Sequence, residues 1–408
     1  MKRTKFLFTS LLVIGIAFPL FSQTNGRIVA GISLDRLTRY EKFISDEIEK
    51  QDLPGAVALI YRNGSLVHQG AYGQHDTAAK TRMKTDDIFF IQSMTKPVIT
   101  VAFMMLYEEG HFLLTDPVSK YIPAFKDLRV SKNVAEGMAG ETEPLHQEIT
   151  IAQLLSHTSG LTHGLGQSQL DKDFMREYFM KPWPDIKSRV NSISSIPLLG
   201  QPGAQWAYSA GPDVLSVLIE QFSGMSTQDF LLERIFKPLG MKDTGYNLTK
   251  AQQARVAKVY SKNNDGVLLP IPNQPRMEGN TIWCGVNGLF STAQDYMIFC
   301  QMLLNDGKWN GKQLLSRKTV ELMTYNHTGN LFNRPGEGFG LGFAVVTDVA
   351  DTKLPGSEGI FYWGGAYNTH FFIDPKEKMV SILMSHETHF SWWYHDKMRE
   401  MVYQAMVD

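Results

Sequence analysis

The stretch Ile91–Gln92–Ser93–Met94–Thr95–Lys96–Pro97–Val98–Ile99–Thr100 sets a serine and a lysine three residues apart, just ahead of an apolar run from Val98 to Leu106. If Ser93 opens a helix, Lys96 lies one turn on along the same face. The pair then sits near the positive end of the helix dipole. A serine hydroxyl is a poor nucleophile until a base takes its proton, and an adjacent lysine can serve in that transfer. The spacing alone is weak evidence, because both residue types are common.

Around this stretch the chain reads as a mixed α/β protein. Leu34 to Lys50 carries apolar residues at helical spacing (Leu34, Leu37, Tyr40, Ile44, Ile48). Ala56 to Tyr61 reads as a buried strand, Asn63–Gly64 as a hairpin turn and Ser65 to Tyr72 as the return strand. A short strand, Ile88 to Ile91, leads into Ser93, and the helix that follows runs to about Glu109. Residues 126–148 read as a polar surface excursion and 162–204 as irregular, with Thr150 capping a short helix between them. Further helices are expected over Pro212–Phe222, Thr227–Phe236, Thr292–Leu304, Leu315–Met323 and Trp392–Met406. Strand signals return at Asn287–Phe290, Gly342–Thr347, Ile360–Trp363, Thr369–Ile373 and Met379–Met384. Strands at both ends and helices between them imply one sheet built from the two termini, with a helical insert.

Composition narrows the function. The 408 residues are 43% hydrophobic and 20% charged, which suits a globular chain with a large core. Lys2, Arg3 and Lys5 followed by the apolar run Phe6 to Phe21 read as a signal peptide over residues 1–22, so an exported protein, periplasmic or secreted, is expected. The run is short for a membrane span and contains Pro19. Loss of those three cations takes the formal charge from −1 to −4, and no basic run remains, which argues against a nucleic-acid partner. Cys284 and Cys300 are the only cysteines, and they read as two buried free thiols rather than a bridge. His386–Glu387–Thr388–His389 is one residue short of a zinc-helix pattern, so no metal and no cofactor is expected. His157 reads as a hydrogen-bonded structural histidine, and the aromatic run Phe390 to Tyr394 as packing for the last helix.

Two more clusters accompany the Ser93 stretch. Trp206–Ala207–Tyr208–Ser209–Ala210–Gly211 places a tyrosine before a helix. Phe361–Tyr362–Trp363–Gly364–Gly365–Ala366 puts paired glycines at a strand end, where backbone can approach closely. Taken in order, Ser93-x-x-Lys96, Tyr208–Ser209–Ala210 and Trp363–Gly364–Gly365 resemble the three motifs of the penicillin-recognising serine enzymes. That family includes class C β-lactamases, D-alanyl-D-alanine carboxypeptidases and esterases of β-lactamase fold. Leu154 to Leu161 and Gly288 to Tyr296 resemble its supporting segments.

The resemblance implies a β-lactamase/transpeptidase-like fold over residues 23–408. An α/β lobe (about 30–90 and 275–408) would hold an antiparallel sheet flanked by helices, and an all-helical lobe (about 91–274) would complete the cleft. It implies Ser93 as nucleophile, Lys96 as its activator, and Tyr208 as general base or shuttle, its phenol acidified by Lys96. The backbone N–H groups of Ser93 and Ala366 would form the oxyanion hole. Trp363, Gly364, Gly365 and Ala210 would line the substrate pocket. Two departures stand out. Trp363 replaces the cation, and Gly364 the hydroxyl residue, that would hold a substrate carboxylate. Ala210 replaces a carbonyl-binding asparagine. Both point away from lactams, and Trp-Gly-Gly resembles the esterase branch. The expectation is a carboxylesterase, or an acyl transferase or amidase, acting on a small uncharged acyl substrate. The alternatives are a β-lactamase or D-alanyl-D-alanine carboxypeptidase, and a non-catalytic binding homologue.

Overall fold

A computed structural model describes residues 27–408. The expected signal peptide lies outside the described residues. The first helix, α1 (Leu34–Glu49), starts where the Ser33 hydroxyl accepts from the Arg36 N–H and buries Leu37, Tyr40 and Ile44. Strands β1 (Gly55–Arg62) and β2 (Ser65–Asp76) follow. Asn63 and Gly64 both take positive φ (49° and 79°) between them, as a tight hairpin turn requires. Next come β3 (Thr81–Arg82), β4 (Ile88–Phe90) and α2 (Thr95–Glu108). The helical region contains α3 (Gly211–Ser223) and several shorter helices. The last third supplies β5 (Phe290–Thr292), α4 (Ala293–Leu304), β6 (Glu337–Phe339), β7 (Ala344–Val346), β8 (Phe361–Gly365), β9 (Thr369–Asp374), β10 (Met379–Ser385) and α5 (Trp392–Tyr403).

Eight strands form one antiparallel sheet in the order β6-β7-β8-β9-β10-β1-β2-β3. The two ends of the chain meet at β10 and β1, where Leu383 lies opposite Ala58. Every residue of β9 and β10 is buried, so helices must cover both faces. Adjacent residues of β9 show this directly. Phe371 meets Tyr296 of α4, and Phe372 stacks on Tyr403 of α5.

Local departures from the sequence reading have identifiable causes. Ser93 does not open an α-helix; it sits in a 3-10 turn, Gln92–Met94, that feeds α2. The expected strand at Asn287–Phe290 forms later, as β5, and pairs with β4 outside the large sheet. Residues 126–148 are partly ordered by pairing of Arg129–Ser131 with Thr142–Pro144. In 162–204, Ser168 and Asp185 cap short helices, Gln169–Phe174 and Ile186–Asn191. The last helix ends at Tyr403, and the chain then turns so that the Ala405 carbonyl accepts from the Ser33 N–H at 2.8 Å. Among the described residues no helix is long and apolar enough to cross a membrane.

The central strand pair should dominate stability. Ile382 of β10 is fully buried. Ile382→Ala removes its packing and leaves a cavity, so urea unfolding should show a loss of about 2–5 kcal/mol.

Candidate active site

The site forms where α2, the loop before α3 and the end of β8 converge. Gln92 takes a positive φ of 48°, unusual for a side-chain-bearing residue, immediately before Ser93. The turn places Ser93 at the head of α2, and Lys96 follows in the first turn of that helix. Lys96 is 1% exposed. Its Nζ lies 3.2 Å from Ser93 Oγ and donates to the Val286 carbonyl at 2.8 Å. Burial drives its pKa down to about 7, against a smaller upward pull from the Asp213 carboxylate. Near neutrality much of Lys96 is therefore an amine whose lone pair can accept the Ser93 proton.

Tyr208 closes the other side. The Lys96 Nζ stands over its ring, 4.4 Å from the centroid. Burial pushes the phenol pKa up, although hydrogen bonds from Ser93 and Trp363 pull it the other way. This corrects the expectation that Lys96 acidifies Tyr208. The charge sits over the face of a desolvated ring, and burial outweighs it. Lys96, not Tyr208, is the group shifted towards neutrality. The Trp363 indole N–H donates a long bond, 3.4 Å, to the Tyr208 hydroxyl.

Gly365 explains how β8 reaches the serine turn. A Cβ there would run into the Ile91 carbonyl and the Thr369 hydroxyl. Glycine thus lets the strand end lie against the backbone that leads into Ser93. Ala366 is the next residue after this close approach. Gly364 lies opposite His370 in the sheet. Trp363 is 6% exposed and packs on Tyr208, Phe339 and Trp392. Ala210 is fully buried, with its N–H donated to the Thr162 carbonyl at 3.0 Å. It therefore fixes the Tyr208 loop and offers no exposed surface to a substrate.

A model of the family described as Beta-lactamase matches residues 40–396. The chain belongs to the β-lactamase family. Among its relatives, an uncharacterized protein of Mycobacterium tuberculosis is 33% identical, with 81% of this chain and 85% of the relative covered. Esterase EstB of Burkholderia gladioli is 27% identical, covering 82% and 86%. The solved structure of EstCE1, a hydrolase with promiscuous acyltransferase activity, superposes with a TM-score of 0.77 at 25% identity, covering 90% of this chain and 99% of that one. The chain is thus a β-lactamase-fold hydrolase of the kind that includes serine esterases.

Within this β-lactamase-family cleft, the structure adds residues that sequence reading missed. Asp213, in the first turn of α3, is fully buried. It accepts from the Val286 N–H at 3.0 Å and the Tyr178 hydroxyl at 2.9 Å, and lies 3.6 Å from Arg189. It therefore anchors the very segment whose carbonyl holds Lys96. Its position inside an ordinary helix start gave no motif to find. His163 stacks on Tyr208, with ring centroids 5.2 Å apart. His157, by contrast, was read from the sequence as a hydrogen-bonded structural histidine: it accepts from the Ser209 N–H through Nδ1 at 3.3 Å, and burial drives its pKa down to about 3. It is a neutral positioning group for the Tyr208 loop.

Other candidates lie elsewhere. His386 bonds the Lys258 carbonyl, and His389 pairs with Glu387 at 2.6 Å. Among the described residues no three metal-ligating side chains gather. Cys284 and Cys300 are both free.

Asp213→Asn keeps the shape of the anchor and removes its charge. Lys96 then loses the interaction that raises its pKa, so the acid limb of kcat/KM should move to lower pH. Arg189 loses its buried counter-charge, so the melting midpoint should fall, with a cost of about 3–5 kcal/mol. A pH–rate profile and a thermal melt check the two effects separately.

Proposed function

We propose that the chain is an exported carboxylesterase that works through an acyl-enzyme on Ser93. The observation that carries this is the buried Lys96 amine, 3.2 Å from Ser93 Oγ with a pKa brought down to about 7. A base with that pKa is matched to neutral pH. EstB and EstCE1 are relatives whose names fit the same chemistry. Export is proposed from the basic start and the apolar run of residues 1–22.

In this reading Lys96 takes the Ser93 proton as Oγ bonds the substrate carbonyl carbon. The backbone N–H groups of Ser93 and Ala366 receive the developing oxyanion. When the tetrahedral intermediate collapses, the ester C–O bond breaks. The proton passes from Lys96 to the leaving oxygen, with the neutral Tyr208 hydroxyl as relay. Water then adds to the acyl-enzyme by the same path, and Ser93 recovers its proton as the carboxylic acid leaves. A phenol held above its ordinary pKa suits a relay better than a phenolate base.

The substrate side of the cleft supports esters over lactams. Trp363 stands where the related lactamases hold a cation, and its largely buried ring packs on Tyr208, Phe339 and Trp392. An apolar ring in place of that cation also suits acyl transfer to an apolar alcohol in place of water.

Purified protein should cleave p-nitrophenyl butyrate, and Ser93→Ala should reduce turnover to background. Because Lys96 must be neutral, kcat/KM should fall tenfold per pH unit below about 7 and level off above it. Nitrocefin should be a substrate at least a hundredfold poorer by kcat/KM. Activity retained in Ser93→Ala would overturn the assignment.

A further inference from the structure

A pocket of about 400 Å³ lies beside the segments that carry and hold the candidate catalytic residues. Phe90, three positions before Ser93, forms part of it. So do Asn287 and Gly288, next to the Val286 carbonyl that holds Lys96. Phe179, another wall residue, stacks on His163, which in turn stacks on Tyr208.

Its polar lining is cationic. Arg189, Arg276 and Lys181 line it, and among the described residues no carboxylate does. Lys181 is paired with Glu177. Arg276 has no carboxylate partner among the described residues. Its Nε donates to the Glu278 carbonyl at 2.8 Å, while the Glu278 carboxylate is taken by Lys250 at 2.7 Å. Arg189 is only 7% exposed. One of its nitrogens donates to the Cys284 sulfur at 3.0 Å, another stands 3.6 Å from Asp213, and its buried Nε has no hydrogen-bond partner. A buried guanidinium nitrogen left unpaired is costly, and an oxygen acceptor in the pocket would satisfy it.

The acyl carbon bonds Ser93 Oγ, and Phe90, three residues before Ser93, lies within about 11 Å of it by chain length, so an acyl chain of several carbons can reach this pocket. We propose that this pocket binds a carboxylate at the far end of the substrate's acyl chain, held by Arg276 at the rim and by Arg189 within. Guanidinium groups match the planar geometry of a carboxylate. The proposal rests on acyl transfer at Ser93 and revises the expectation of an uncharged acyl group. The cation absent from the third motif is replaced by Arg276 and Arg189 of this pocket.

Two esters with the same acyl length separate the possibilities: mono-p-nitrophenyl adipate, which ends in a carboxylate, and p-nitrophenyl hexanoate, which ends in a methyl. The adipate ester should be favoured at least tenfold in kcat/KM. Arg276→Gln should cut that ratio at least fivefold, as should about 0.5 M salt. Arg276 is exposed, so this variant should fold, as a melting curve checks. An adipate-to-hexanoate ratio of one or less, or a ratio unchanged in Arg276→Gln, overturns the proposal. A binding arm works without turnover. Ser93→Ala protein is titrated calorimetrically with monomethyl adipate and with methyl hexanoate. Tighter binding of the adipate, weakened at least fivefold by Arg276→Gln, supports the pocket even if neither ester is cleaved. That combination would count against the esterase reading alone. Equal binding of the two, or no adipate binding, overturns the pocket whatever the esterase assay gives.

Discussion

The site depends on one act of desolvation. Lys96 is taken out of water at the start of α2, with the Ser93 hydroxyl, the Val286 carbonyl and the face of Tyr208 for company. An ammonium so placed loses hydration that one carbonyl and one ring do not restore. Its pKa falls from 10.5 to about 7. That difference corresponds to roughly 5 kcal/mol. The sign sets where the fold bears it. Between pH 7 and 10.5 the unfolded chain holds a proton that the folded chain has released, so this lysine's contribution to stability rises with pH across that window. Below pH 7 both states are protonated and the fold carries the whole penalty. A reactive amine at neutral pH is therefore obtained at the expense of stability, and the sheet and helices must supply the difference.

The large sheet does so, and it also sets the geometry. Joining β1 to β10 brings the two ends of the chain into one core, with α4 on one face and α5 on the other. That core carries β8 to the serine turn, and Gly365 lets the two backbones come together. The helical region contributes the opposite wall through Asp213, which ties α3 to the Val286 segment. Lys96 is thus fixed from two distant parts of the chain at once: Val286 from the last third, Tyr208 from the loop before α3.

Much of this was legible in the sequence, for physical reasons. The Asn63–Gly64 hairpin and α1 follow from turn chemistry and apolar spacing. The pairing of the chain's two ends follows from where strand patterns occur. Ser93, Lys96, Tyr208 and the Gly364–Gly365 end of β8 were marked by short motifs. What was not legible has equally physical causes. Electrostatic shifts depend on burial in three dimensions, so proximity of Lys96 to Tyr208 suggested an acidic phenol, whereas the fold delivers a neutralised lysine. Asp213 looked like any acidic residue in a first helical turn. Ala210 was marked by its position in a motif, yet the fold buries it behind the loop. Arg189 and Arg276 lie 87 positions apart in the chain, so only the fold could show that they share a wall.

The placement of Lys96 over the Tyr208 ring gives the tyrosine a role separate from its hydroxyl. In the resting site the amine is largely neutral above pH 7 and gains little from the ring. In the proposed mechanism it takes the Ser93 proton and becomes a desolvated cation 4.4 Å from an aromatic face. At that moment the ring quadrupole and the Asp213 carboxylate are the negative potential available to it. Both interactions are stronger with the ammonium than with the amine, so they favour the state that exists during acyl transfer over the state that precedes it. The same logic limits how much negative charge the site can hold. A carboxylate moved next to Lys96 would keep it protonated and remove the base. An acyl carboxylate kept at the far Arg276 end of the neighbouring pocket leaves the Lys96 equilibrium to burial, to Asp213 and to the ring.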